Sequence, residues 1–398
     1  LMRRRPPRST PSNSSAASDV YKRQELIERA RIPWIFAALL LGFALNLYNP
    51  FPEITSSQAF QFFASLGMYF LLFIIGFEID VNEIKKEGGF IFFSTGFIIL
   101  FEGICGMLLI HFIFKLSWFL SFLVGLSFAT VGEAILLPIL DEFRIINTKL
   151  GRSIVGIGVL DDIIEVFTLV LAASAVGISM AHPTQNILVT IFSLLLVFSL
   201  TYFLSLLKKE GRKFKVFNIE TLFLFTMFIL FLFVGIGNYA DVDALAALLA
   251  GVALKNFLPK ERLKFIENEV RAICYGLFAP LFFFWVGITT SLSYLSQNPA
   301  ILMLFFFIPW ISKLIPSYLA GRKKLGNKGS ILLGLGLSVR FSTSIVIIKY
   351  LFEHNLIPLG LYSVLIASTA LFTLVIPISF AYLLGKWKNF VKKIIYYI

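Results

Sequence analysis

Apolar residues in this chain come in long runs separated by short polar breaks, without the strict alternation of a half-buried strand. About 20 apolar residues cross a bilayer as a helix. By that rule twelve spans are predicted, at about 32–48, 59–77, 89–114, 118–142, 149–175, 187–207, 217–236, 242–257, 270–292, 299–320, 328–352 and 358–385. The polar breaks give an independent check, because Lys and Arg gather in cytoplasmic connections. Connections after even-numbered spans, with the C-terminal tail, hold 23 basic residues, whereas those after odd-numbered spans hold only Lys115. A missed or invented span would destroy that alternation, so the pattern predicts an even number of spans with both termini cytoplasmic. The fold class is therefore an all-α polytopic membrane protein.

Two spans make poor uninterrupted helices. Span 4, GLSFATVGEAILLPIL, places Thr130, Gly132, Glu133 and Pro138 where the middle of a helix should be. Span 11, GSILLGLGLSVRFSTSIVI, has the same texture, with Gly334, Gly336, Ser338, Ser342 and Thr343 around Arg340. Where such a helix unwinds inside protein, freed carbonyls and hydroxyls such as that of Thr130 can coordinate a cation. Two interrupted spans in corresponding halves of a chain point to a transport site.

Composition agrees with the membrane reading. Of 398 residues, 58% are hydrophobic and only 15% charged, and the 45 Phe exceed what one soluble core buries. The net charge of +12 forms no basic face on a soluble fold, so nucleic acid is not an expected partner. Cys105 and Cys274 both lie in apolar runs, and neither a disulfide framework nor a resident cofactor is expected. Residues 1–24 are rich in Arg, Pro and Ser and lack the apolar core of a signal peptide. Their SSAASDVYKRQ segment resembles translated sequencing-adapter leaders, which predicts a non-native or disordered leader ahead of a transmembrane domain at 25–398.

Charges inside the spans carry the chemistry, since an ionised group in hydrocarbon costs at least ~2.5 kcal/mol. Span 5 holds Asp161, Asp162 and Glu165. Asp161 and Glu165 share a helix face, while Asp162 is turned about 100° away, so the adjacent pair can address two neighbours. Lys313 in span 10 is the expected partner, because a buried ammonium needs a carboxylate. Glu102 in span 3 has no partner visible in the sequence and reads as a satisfied buried carboxyl. Lys349 is expected to snorkel from the outer end of span 11, and Asp241 and Asp243 to cap span 8. His111, His182 and His354 stand at outer loop edges without metal-ligand spacing.

The segment LSFATVGEAILLPILDEFRIINTKLGRSIVGIGVLDDIIEVFTLVLAAS, with APLFFFWVGITTSL, ISKLIPSYLAGR and the stretch around Arg340, resembles the second family of monovalent cation/proton antiporters, within the sodium/hydrogen exchanger superfamily. The resemblance covers about residues 30–385. It implies an inverted-repeat fold with two crossing broken helices, twelve spans being present and the first family helix missing. A core from about 89–175 and 299–385 would move against a dimerising panel from 30–77 and 217–292, with a linker helix at 187–207. By position, Asp162 and Thr130 would bind the monovalent cation, and Asp161 would pair with Lys313. Glu133, Glu165, Arg340 and Ser342 are possible accessories. Glu133 and Glu165 stand where small or apolar residues are expected, and Ser342 where many relatives carry Glu. The implied setting is a multi-pass protein of a prokaryotic inner membrane, working as a homodimer.

The implied function is antiport, Na⁺ favoured and K⁺ possible, with proton and cation competing for the same carboxylates. Two other classes compete with it. An intramembrane aspartyl protease is suggested by Gly156, Gly158 and Asp161, but GIGVLDD places both aspartates on one helix, where they cannot flank a scissile carbonyl. A cation channel would use the same acidic site without coupling to protons.

Overall fold

The computed structural model describes residues 35–78, 88–179, 187–207, 218–239 and 242–387, so expectations for the 1–24 leader, Asp241 and His182 fall outside it. Every regular element among the described residues is a helix. The principal ones are α1 (Phe36–Leu47), α2 (Gln58–Glu78), α3 (Gly89–Phe114), α4 (Trp118–Phe128), α5 (Glu133–Glu142), α6 (Lys149–Ser179) and α7 (Ile187–Leu206). They continue as α8 (Ile219–Asn238), α9 (Asp243–Phe257), α10 (Lys260–Ile273), α11 (Ala279–Ile288), α12 (Pro299–Leu337), α13 (Ser342–Glu353) and α14 (Leu359–Lys386). Six helical segments among the described residues are long and apolar enough to cross a membrane.

Packing sorts most of these helices into two sets. In one, α3 lies against α4, α6 and α12, while α14 lies against α5, α12 and α13. In the other, α1 pairs with α11, α2 with α9 and α11, and α9 with α7 and α8. Glycine sets the closest approaches of the second set. A Cβ built on Gly42 of α1 would stand 2.8 Å from the Cα of Gly287 in α11, and one on Gly76 of α2 would stand 2.9 Å from the Cα of Gly251 in α9. Only residues without a side chain allow backbones so near. Large apolar side chains such as Phe92, Phe93, Leu224 and Phe228 are exposed, as suits a lipid-facing surface.

The helix ends follow local chemistry. Lys115 closes α3 with left-handed backbone (φ 58°), its N–H donating to His111 O, and the Ser117 hydroxyl caps α4 by accepting Leu120 N–H. The predicted interruption of span 4 is the non-helical stretch 129–132 between α4 and α5, and that of span 11 is 338–341 between α12 and α13. The two breaks meet: Gly132 N–H donates to Val339 O at 2.7 Å, joining backbone groups that a continuous helix would have used internally.

Two boundaries differ from expectation. Spans 10 and 11 are joined within α12, whose only departure from helix is Gly326 (φ 69°, ψ 175°). Arg322, Lys323 and Lys324 are good helix formers, so the polar connection stays helical up to the glycine that turns it. Span 9 is preceded by α10, which starts at Lys260 and buries Ile266 and Val270 while exposing Phe265. Its charges made it read as a connection, although its apolar residues recur at helical spacing. A π turn at Cys274–Phe278 then leads into α11, where Pro280 has no N–H for the carbonyl four residues back.

Candidate functional site

Four charged side chains gather where the two breaks cross, each 2% exposed or less: Glu102 of α3, Asp161 of α6, Lys313 of α12 and Arg340 of the second break. Because α4 stops at Phe128, the carbonyls of Ala129 and Thr130 have no helical donor. Lys313 Nζ donates to both, at 2.7 and 3.2 Å, and lies 3.1 Å from Glu102 Oε2. The other carboxylate oxygen of Glu102 accepts from an Arg340 guanidinium nitrogen. Beyond the carbonyls, Val131 N–H donates to Asp161 Oδ2 at 2.6 Å. Thr130 Oγ1 shares a hydrogen bond with Ser344 Oγ of α13, and Thr373 Oγ1 of α14 donates to Arg340 O at 2.7 Å.

The arrangement is electrostatically ordered. Carbonyls at the C-terminal end of α4 face the ammonium, and a free N–H ahead of α5 faces the carboxylate, each sign of charge meeting the complementary end of a half-helix. Arg340 lies between two aromatic faces, its guanidinium carbon 4.2 Å from the Phe128 ring centre and 4.3 Å from that of Phe372. Those faces attract a cation while excluding water. Of its nitrogens, Nε and one terminal nitrogen have no hydrogen-bond partner among the described residues, where Glu102 is the side chain that fixes the fork. Two cations and two carboxylates among the described side chains thus stand in one buried volume.

The structure brings Asp161, Thr130, Lys313 and Arg340 together, but with different partners from those expected. Lys313 forms its ion pair with Glu102 rather than with Asp161, whose described hydrogen bond is to backbone. The unwound carbonyls draw the ammonium toward the break, and Glu102 is the carboxylate beside them. Glu102, read from sequence as a bland buried acid, therefore bridges both buried bases. Its signal was charge balance: Lys313 and Arg340 both needed a counter-ion deep in the membrane runs. Ser344, which sequence reasoning passed over, is the hydroxyl that meets Thr130, while Ser342 opens α13 two residues earlier. Asp162, Glu165 and Glu133 lie on helical backbone, but their side chains fall outside what the structure describes.

A model of the transmembrane sodium/hydrogen exchanger family matches residues 20–386. The chain belongs to that family. An Enterococcus hirae Na⁺/H⁺ antiporter is 26% identical over 375 residues, covering 90% of this chain and 93% of its own length. The glutathione-regulated potassium-efflux system protein KefC of Shigella flexneri is 29% identical, over 70% of this chain but only 45% of that protein. The structure of the Methanocaldococcus jannaschii sodium proton antiporter MjNhaP1 at pH 8 superposes with a TM-score of 0.58 and 16% identity, over 92% of this chain and 99% of that one. This likeness shows the fold. A sodium/hydrogen exchanger is an integral multi-pass transporter, not an enzyme, and the protease reading falls with that assignment.

A third buried cation of this exchanger, Lys349, also departs from expectation. Lys349 does not snorkel: it is fully buried, pairs with the half-exposed Glu353 at 2.6 Å and lies 3.7 Å from the Trp285 ring centre. Its ammonium also donates to Thr289 Oγ1 at 3.2 Å, so the side chain reaches from α13 to α11 and the turn after it. The aromatic face of Trp285 and the Glu353 carboxylate together cover the ammonium. Asp243 is the first residue of α9 rather than its cap. Its carboxylate accepts Tyr69 OH of α2 and the N–H of Ala244. His111 stacks on Trp118 at 3.7 Å, and His354 contacts Tyr350 O through Nδ1, both within local structure.

Proposed function

We propose that the chain is a secondary active antiporter exchanging a monovalent cation, Na⁺ in preference to K⁺, for protons by alternating access. The observation that carries this reading is the buried Asp161–Val131 contact beside a Lys313–Glu102–Arg340 cluster at the crossing of two broken helices. Asp162, next to Asp161 on α6, and Thr130 in the first break would hold the cation. Protons and cation would compete for these carboxylates, and only a neutralised site would pass between inward and outward states. The set containing α3–α6 and α12–α14 would move against the set containing α1, α2, α8, α9 and α11, within a twelve-span inverted repeat. Both termini would be cytoplasmic, and the protein would work as a homodimer in a prokaryotic inner membrane.

Na⁺ is preferred because the Enterococcus relative named for Na⁺ aligns over 93% of its length, whereas KefC aligns over 45%. The test is cation-driven proton movement in proteoliposomes, read with a pH-sensitive dye against Na⁺, K⁺ and Li⁺. Asp162→Asn should abolish the signal while leaving the protein inserted and monodisperse. Wild-type rates in that variant would remove Asp162 from the mechanism, and conductance without proton coupling in the parent chain would replace antiport by a channel.

A further inference from the structure

Away from the buried charges, an open pocket of ≈980 Å³ lies at one end of the bundle, where three elements of the basic side meet. Its walls come from the start of α3 (Phe90 and Ile91), the first two turns of α6 with the loop before it, and α12 beside the Gly326 bend. Three of its lining residues are cationic, Lys149, Arg152 and Lys324, and none is acidic. Lys324 Nζ lies 4.4 Å from the Phe90 ring centre, and none of the three cations meets a carboxylate among the described residues. Three charges lining one cavity leave a positive field that no carboxylate among the described residues answers.

We propose that this pocket holds the phosphate-bearing headgroup of an anionic phospholipid from the inner leaflet. The volume far exceeds a single phosphate, the inner wall is apolar at Ile91, Val155 and Leu325, and one side is open. Those features suit a molecule with a charged head, an uncharged body and chains that leave sideways. The neighbouring Phe92 and Phe93 of α3 are exposed and offer the chains an apolar course. The inner leaflet supplies that chemistry, and basic pockets between helices on the cytoplasmic side suit it. An occupant would tie α3, α6 and α12 together at their ends. Gly156, in the wall, precedes Asp161 by five residues on the same helix, about 7.5 Å along its axis.

The test uses the purified full chain in neutral detergent, titrated with phosphatidylglycerol, phosphatidylcholine or soluble glycerol 1-phosphate. Bound lipid is read by native mass spectrometry and thermal unfolding. Phosphatidylglycerol should be retained and should raise the unfolding temperature, and the other two should not. The variant Lys149→Gln/Arg152→Gln/Lys324→Gln should bind it roughly 100-fold more weakly, each exposed charge near an anionic surface contributing a few-fold. A control, Arg322→Gln/Lys323→Gln/Lys386→Gln, removes as many charges from outside the pocket and should bind as the parent does. All six side chains are exposed, so both variants should fold. Equal weakening by the two triples would reduce the effect to general charge attraction and overturn the site. Stabilisation by glycerol 1-phosphate equal to that by lipid would overturn the lipid as occupant. Unchanged binding in the pocket triple would overturn the proposal outright.

Discussion

Replacing Glu102 by Gln keeps the shape of the side chain and removes the one charge that touches both Lys313 and Arg340. At 3.1 Å, and with an effective dielectric constant near 20, the attraction to Lys313 alone is about 5 kcal/mol before desolvation is counted. Removing one member of a buried pair strands the other and costs ~3–5 kcal/mol. Here the two bases are not equally exposed to that loss. Lys313 keeps two backbone carbonyls, whereas Arg340 keeps its aromatic faces and at most one neutral amide oxygen in place of its described carboxylate. Lys313→Gln should cost less than Glu102→Gln, because it leaves Glu102 paired to Arg340. In Glu102→Gln/Lys313→Gln one stranded cation is gone, so the double variant should be more stable than the sum of the singles predicts, by about 0.5–3 kcal/mol. Unfolding by SDS in mixed micelles, at matched protein amounts, measures all four corners of that cycle. A loss of ~3–5 kcal/mol shifts the folding constant by roughly 10² to 10³·⁵-fold, a large part of a typical total stability. A Glu102→Gln protein within about 1 kcal/mol of the parent, with additive singles, would refute the reading of Glu102 as the shared counter-ion.

If the proposed cycle holds, with the Lys313 ammonium changing partner as the cation binds, Lys313→Gln should retain some exchange but weaken its response to membrane potential; equal voltage dependence in folded parent and variant would make Lys313 a strut. At Lys349 the order should invert the usual expectation. Lys349→Met removes a buried charge whose partner is half in water and should be close to neutral in thermal unfolding, while Glu353→Gln leaves the ammonium without its carboxylate and should cost about 1 kcal/mol. Greater harm from Lys349→Met would show that the contacts of Lys349 with Trp285 and Thr289 hold α13 to α11.

Legibility from sequence followed the range of the interaction. Both helix breaks were visible because Gly, Pro and Thr weaken a helix locally, whatever packs around it. Which side chains fill a break is decided by residues far along the chain. Arg340 and Glu102 are 238 positions apart, and no spacing rule joins them. The difference at Lys349 has a related origin: closeness to a helix end suggests water, but Trp285 and Thr289, 60 or more positions away, join Glu353 of its own helix in covering the ammonium. Asp161 was found from its cost in hydrocarbon, while its bond to Val131 N–H depends on where the break in α4–α5 falls against α6. α10 was missed for a different reason, since its charges masked an apolar face that only its helical periodicity reveals.

The glycine crossings of α1 with α11 and α2 with α9 bear on how this chain can change over generations. At most packed sites a larger side chain can be answered by a smaller one opposite. Here the facing residue is already glycine: a methyl on Gly287 would meet Leu39 O at 2.3 Å and the Cα of Gly42 at 2.9 Å, all of it backbone. No substitution opposite can make room, so relief must come from moving whole helices, and those helices are anchored along their remaining length. Such positions have no neighbouring path of tolerated variants. Their history should be one of retention or of wholesale repacking, with nothing between.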